Sequence, residues 1–192
     1  DLLTHTAGIS YGTEPRIAAA YEPKGLGPAA GRGWYFADKD DGVCPSIERL
    51  ATVPFLSQPG EAWVYGYNTD VLGCIVERIT GQSLADVIKS RITAPLGLTD
   101  TQFFLPAAQR TRLAAVYGSG ASGTIERAAE GASGQGHYVD GPRRSFSGGA
   151  GLLSTARDYA RFLEAMRLGG ALDGARILSP RAVQLMTTNQ VG

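Results

Sequence analysis

The sequence predicts a chain in which helices dominate and strands are few, and three observations carry that reading. Apolar residues recur at helical spacing in several segments, most regularly at Val71, Leu72, Ile75, Val76 and Ile79. Helix-start and helix-stop signals bracket those segments. Strand patterns are few and short, the strongest hairpin signal being Asp173-Gly174 between Leu172 and Ile177-Leu178. A length of 192 residues suits one sizeable core, so residues 1–192 are expected to form a single domain.

Taken in order, residues 2–8 read as a short helical turn that stops at Gly8. Residues 9–43 hold many Gly and Pro, with Tyr11, Tyr21, Trp34, Tyr35 and Phe36 among them. Loops of that length are usually functional, and aromatic side chains need something to pack on, so an ordered loop walling a cleft is expected. Ser46 is the expected N-cap of a helix that turns Ile47, Leu50, Ala51 and Phe55 inward and ends at Pro54. After the turn at Pro59-Gly60 comes Trp63-Val64-Tyr65-Gly66-Tyr67, then the helix bearing Val71 to Ile79, capped by Asn68, Thr69 or Asp70 and closed by Gly81.

Ser83 with Asp86 forms a capping box for a helix carrying Leu84, Val87, Ile88 and Ile92, which Pro95 terminates. A strand is expected at residues 113–117, and residues 118–136 show no period. Thr155 with Asp158 opens a helix whose apolar face is Tyr159, Phe162, Leu163 and Met166, ended by Gly169-Gly170. Ser179-Pro180 is an N-cap and N1 pair for a last helix with Val183, Leu185 and Met186.

Composition narrows the function classes. With 18 basic against 18 acidic residues the chain has no electrostatic footprint for nucleic acid or an anionic membrane, and no apolar run could span a bilayer. Two cysteines are too few for a disulfide framework, and Cys74, among apolar residues on a predicted helix, is expected to be a buried free thiol. The compartment stays open. The first residues lack the features of a signal peptide, and the chain reads as a piece of something longer.

Tyr65 has two local readings: an aromatic staple packed just before a helix start, or a general base aimed into a cleft. No arrangement elsewhere completes a site by inspection. The nucleophile elbow Gly-x-Ser-x-Gly is absent, because Gly120-Ala121-Ser122-Gly123 and Gly131-Ala132-Ser133-Gly134 both continue wrongly. His5 and His137 have no partners at zinc-ligand spacing, so no metal or cofactor is expected; His5 reads as structural, His137 as surface or cleft wall. Gly31-Arg32-Gly33 lacks the third glycine of a dinucleotide loop. The residues three places before the three lysines, Lys24, Lys39 and Lys89, are Tyr21, Phe36 and Asp86, so no Ser-x-x-Lys pair is present.

The sequence nevertheless resembles the serine β-lactamase-related family of class C β-lactamases, D,D-peptidases and family VIII carboxylesterases. Five stretches in order carry the resemblance. They are Asp1-Leu2-Leu3-Thr4-His5-Thr6-Ala7-Gly8, Pro59 to Gly73, Pro95-Leu96-Gly97-Leu98, Gly149 to Asp158, and Gly169 to Asn189. The implied fold is the α/β (α+β) serine β-lactamase / penicillin-binding-protein-like one, with this chain mostly its helical domain and lacking most of the antiparallel sheet. Two tyrosines compete for the family's motif. Trp63-Val64-Tyr65-Gly66 is similar to the Trp-x-Tyr-Ser of the esterase branch with one change, which makes Tyr65 the implied catalytic base. Tyr67 then occupies the place of the asparagine that binds the lactam side chain in class C enzymes, and is the implied substrate-binding residue; its presence argues for an esterase.

The implied chemistry is acyl transfer to a serine of an upstream Ser-x-x-Lys, with the tyrosine taking and returning the proton. Ionising a tyrosine of reference pKa about 10 at neutral pH costs roughly 4 kcal/mol. One ammonium about 4 Å away at an effective dielectric near 20 returns roughly the same. The nucleophile, its lysine and the later Lys-Thr-Gly or His-x-Gly strand all fall outside residues 1–192. These residues are therefore expected to be the catalytically silent middle of a hydrolase of small esters or amides, with apolar helix faces exposed for want of the sheet. A β-lactamase, a D,D-peptidase or an acyltransferase is the alternative within that chemistry, and a non-catalytic binding module the alternative outside it. Substrate choice is expected to reside in residues 9–43 and 103–147.

Overall fold

The structure is a computed structural model that describes residues 1–27, 36, 41–128, 139 and 143–191. His137, Trp34, Tyr35, Lys39, Ser133 and the Gly31-Arg32-Gly33 run lie outside the described residues. The chain divides into two compact units. One comprises Asp1–Cys74 and Phe104–Gly151, the other Ile75–Phe103 and Leu152–Gly192.

The first unit opens with a 3-10 turn, Leu2–Thr4, which ends at His5 in the left-handed region (φ 56°) instead of at Gly8. The expected long loop contains a helix, α1 (Pro15–Tyr21), followed by a 3-10 turn at Glu22–Lys24. Its signal is Pro15 at the first helical position and three successive alanines, with Ile17 and Tyr21 spaced to bury one side.

Helix α2 (Val43–Leu50) starts earlier than Ser46 and ends before Pro54. Pro45 stands in its first turn, where the missing N–H is an orphan in any helix, so proline does not mark the boundary. Ser46 is a buried interior residue that accepts a hydrogen bond from Arg49 Nη2 at 3.0 Å, and Phe55 is exposed. The core of this unit gathers Ile9, Tyr11, Ile17, Tyr21, Leu26, Phe36, Val43, Leu50 and Tyr67. A two-stranded antiparallel hairpin, β1 (Tyr117–Ser119) with β2 (Ile125–Arg127), replaces the strand expected at 113–117. Both of its faces are exposed, so no alternation betrays it.

Helix α3 (Asn68–Thr80) begins in the first unit and ends in the second. Its buried residues are Asn68, Asp70, Gly73 and Cys74; of the predicted apolar face Val71 packs against the core, Leu72 and Val76 are half-buried, and Ile75 and Ile79 are exposed, Ile79 to 80%. The covering segment explains the choice. A Cβ on Gly148 would stand 2.1 Å from the Thr69 carbonyl oxygen, so backbone lies directly on the first turn of α3 and selects small and polar residues there. Cys74 is not a free thiol. It forms a disulfide with Cys44 of α2, the two Cα atoms 5.0 Å apart and the residues 30 apart in sequence. No local signal reports that pairing.

In the second unit local signals hold. Ser83 accepts the Asp86 N–H at 3.1 Å and starts α4 (Leu84–Ile88), which continues as a π-helical turn, Lys89–Thr93. Thr155 accepts the Asp158 N–H at 3.2 Å and starts α5 (Ala156–Arg167). The Asp158 carboxylate is used elsewhere, accepting the Asp100 N–H at 2.8 Å and the Thr101 hydroxyl at 2.9 Å. That bond turns α5, so Ala165 is its buried apolar residue with Phe162 partly covered, while Tyr159 and Leu163 face outward. Leu96 and Leu98 complete this smaller core. Strands β3 (Ala171–Leu172) and β4 (Ala175–Arg176) pair through Asp173 and Gly174, both at positive φ as a type I′ turn requires. Ser179 caps α6 (Pro180–Met186), in which Val183 is buried and Leu185 and Met186 are exposed.

Candidate active site

The segment carrying both tyrosines is laid down on the first residues of the chain. The Leu56, Gly60 and Val64 N–H groups donate to the carbonyls of Gly8, Thr6 and His5 at 2.9, 2.7 and 2.7 Å. At Gly66 the approach is closer still: a Cβ there would lie 2.3 Å from the Ile9 oxygen and 2.6 Å from Ser10 Cα. Only glycine fits without moving that backbone, which accounts for the departure from Trp-x-Tyr-Ser.

The bend at Gly66 separates two residues that an extended strand would place on one face. Tyr65 is 57% exposed. Its ring lies on Trp63 (centroids 5.8 Å apart, planes within 13°), beside His5 (4.9 Å, 40°), with Tyr11 edge-on at 5.5 Å. Aromatic rings at such separations attract, so the phenol is carried on a stiff base. Tyr67 is 1% exposed. It stacks on Phe36 at 4.4 Å, meets the edge of Tyr11 at 4.8 Å, and its hydroxyl accepts the Gly27 N–H at 2.9 Å. Burial pushes the Tyr67 phenol up to about 12, against the pull of the Gly27 bond, and the nearby Asp70 and Tyr21 add to the rise.

Two polar residues at the start of α3, weighed in the sequence only as caps, prove central. Asn68 is fully buried and its amide nitrogen stands 3.1 Å from His5 Nδ1. Asp70 is also fully buried. Its Oδ1 accepts the Ser147 hydroxyl and, at 3.4 Å, the Gly149 N–H, while Ser147 Oγ accepts the N–H groups of Gly149 and Ala150 at 3.1 and 3.0 Å. Burial raises the Asp70 carboxyl above the ordinary aspartate range, and the Ser147 and Gly149 bonds oppose that rise. This knot fixes residues 147–150 on the turn that follows the tyrosines. Nothing in the sequence pairs Asp70 with Ser147, 77 residues away.

Among the described residues no group of three His, Cys, Asp or Glu could hold a metal ion, and no helix is long and apolar enough to cross a membrane. The site offers one accessible phenol on a rigid support and one buried phenol that ties Gly27 to the α3 entry.

The fold is the serine β-lactamase and penicillin-binding-protein-like one, here mostly helical with little sheet. The chain belongs to the Beta-lactamase family, whose model matches residues 1–192. Protein Rv1367c of Mycobacterium tuberculosis is 37% identical over 200 residues, covering 100% of this chain and 44% of that protein. Esterase EstB of Burkholderia gladioli is 34% identical over 178 residues, covering 86% of this chain and 43% of EstB. Among solved structures, EstCE1, a hydrolase with promiscuous acyltransferase activity, matches with a TM-score of 0.72 at 26% identity, covering 100% of this chain and 50% of its own. The chain thus spans less than half the length of these two curated relatives.

Proposed function

We propose that residues 1–192 are the central part of a serine hydrolase domain that works through an acyl-enzyme and acts on short-chain esters, with Tyr65 as its general base. The observation that carries the proposal is the contrast between the two tyrosines. A base must reach a proton on another group, and the accessible phenol is Tyr65, held on Trp63 and beside His5. The likeness to an esterase and to a hydrolase with acyltransferase activity supports ester chemistry over other uses of the fold. In this reading the serine nucleophile and its lysine come from elsewhere in a longer chain, and residues 1–192 alone do not turn over.

Tyr67 is proposed to shape the substrate site through what it holds. Its hydroxyl is engaged by Gly27, which supports a role in fixing the 9–27 region against the site. The test uses the full-length protein with p-nitrophenyl butyrate and nitrocefin. Tyr65→Phe is expected to lower kcat on the ester by about 10²–10⁴-fold, and the ester is expected to turn over faster than nitrocefin. Ester hydrolysis at wild-type rate by Tyr65→Phe would overturn the assignment of the base.

A further inference from the structure

We propose that His5 is a positioning residue for Tyr65, held by Asn68 as a neutral imidazole protonated on Nε2. The proposal rests on the reading of Tyr65 as the general base, and its argument starts from Asn68.

The Asn68 amide nitrogen lies 3.2 Å from the Ile9 carbonyl oxygen and 3.3 Å from that of Val64, as well as 3.1 Å from His5 Nδ1. Two of these neighbours can only accept. The group facing them must therefore be the NH2 end of the amide, since an oxygen there would meet two carbonyls with no proton between them. An NH2 group can only donate, and its two protons are shared among these three acceptors, so His5 Nδ1 faces it with its lone pair and the ring's proton sits on Nε2. Adding a second proton at Nδ1 would set N–H against N–H and break the bond. Burial pushes the His5 imidazole below its ordinary range, in the same direction.

Among the described residues no carboxylate bonds to His5 in return. Asp1 takes the Thr6 hydroxyl, Glu61 takes the Gln58 N–H, and Asp70 takes Ser147; Tyr65 is the titratable side chain against the ring. His5 is gripped at two points. Its carbonyl accepts the Val64 N–H at 2.7 Å, and its ring is tied to the first residue of α3. It holds a left-handed backbone conformation (φ 56°) that a side chain with a Cβ adopts at a cost and keeps only where its surroundings fix it. The ring so fixed stands 4.9 Å from that of Tyr65. Trp63 and Tyr11 also touch Tyr65, and His5 is bonded to α3 through its own side chain. The latch admits an uncharged ring and fixes the plane against which the phenol rests. A small misplacement of a reacting group is enough to slow a reaction severely.

The experiment uses full-length protein labelled with 15N-histidine, the His5 signals being those lost in His5→Gln. At pH 7 the two nitrogens of His5 are expected to show an unprotonated Nδ1 and a protonated Nε2; a protonated Nδ1 overturns the proposal. On p-nitrophenyl butyrate, His5→Ala is expected to lower kcat roughly tenfold with KM within about twofold, and Asn68→Ala to do the same. Adding His5→Ala to Tyr65→Phe is expected to cost nothing further, which a general loosening of the fold would not reproduce. A wild-type kcat in a folded His5→Ala protein, with Tyr65→Phe inactive, sinks this proposal alone. An active Tyr65→Phe sinks the assignment of the base, whatever the spectrum of His5.

Discussion

The two units of this chain are built by different rules. In the second, three helices are each started by a side chain that caps the residue three positions on: Ser83 with Asp86, Thr155 with Asp158, Ser179 with Ala182. Distant bonds such as Asp100 to Asp158 are added to elements already defined. In the first unit the deciding contacts join residues far apart: Gly27 with Tyr67 across 40 positions, His5 with Asn68 across 63, Ser147 with Asp70 across 77. Tyr65 belongs to that unit. The comparison teaches that a rigid support for one side chain is made here from loops, and loops hold only when their ends are tied to something remote.

The comparison can be broken by removing one tie at a time. The largest loss is expected for Tyr67→Ala, which vacates a buried ring stacked on Phe36 and frees the Gly27 N–H; the cost in urea unfolding should be about 3–5 kcal/mol. Next is the Cys44–Cys74 bridge. Closing a loop of 30 residues lowers the entropy of the unfolded chain by the equivalent of about 3.6 kcal/mol, so reductant or Cys44→Ala should lower stability by up to that amount.

Alkaline pH should act on the same core. Tyr21 and Tyr67, both raised to about 12 with burial as the main cause, keep their protons in the folded state after the unfolded chain begins to lose its own near pH 10. Their contribution is complete below pH 10 and is lost as pH rises from about 10 to 12. Unfolding followed with the phenolate absorbance should show that window. The smallest effect is expected in the second unit, where Thr155→Ala removes one cap and should cost about 1 kcal/mol. A Thr155→Ala loss as large as that of Tyr67→Ala would erase the distinction between the two units.

The same contrast marks what could be read from residues alone. The caps at Ser83, Thr155 and Ser179, the stop at Gly81 and the Asp173-Gly174 turn are local chemistry, and the structure keeps each of them. Buried faces were harder. A periodic apolar stripe says which side of a helix is greasy, not which side is covered, and α3 buries Asn68 and Asp70 while exposing Ile79. The disulfide and the Asp70–Ser147 knot carry no local pattern at all. Tyr65 and Tyr67 could be singled out from their neighbours in sequence, but which phenol is covered depends on Phe36, Gly27 and Tyr11, none of them near in the chain.

Gly66 has a consequence for how such a chain can change over generations. With the Ile9 oxygen 2.3 Å from where its Cβ would be, a serine at position 66 has no room while residues 9 and 10 keep their course. The order of substitutions therefore matters: a serine at position 66 can be introduced only after the Ile9-Ser10 backbone has moved. The choice of residue at position 66 is thus set by a part of the chain more than fifty positions away.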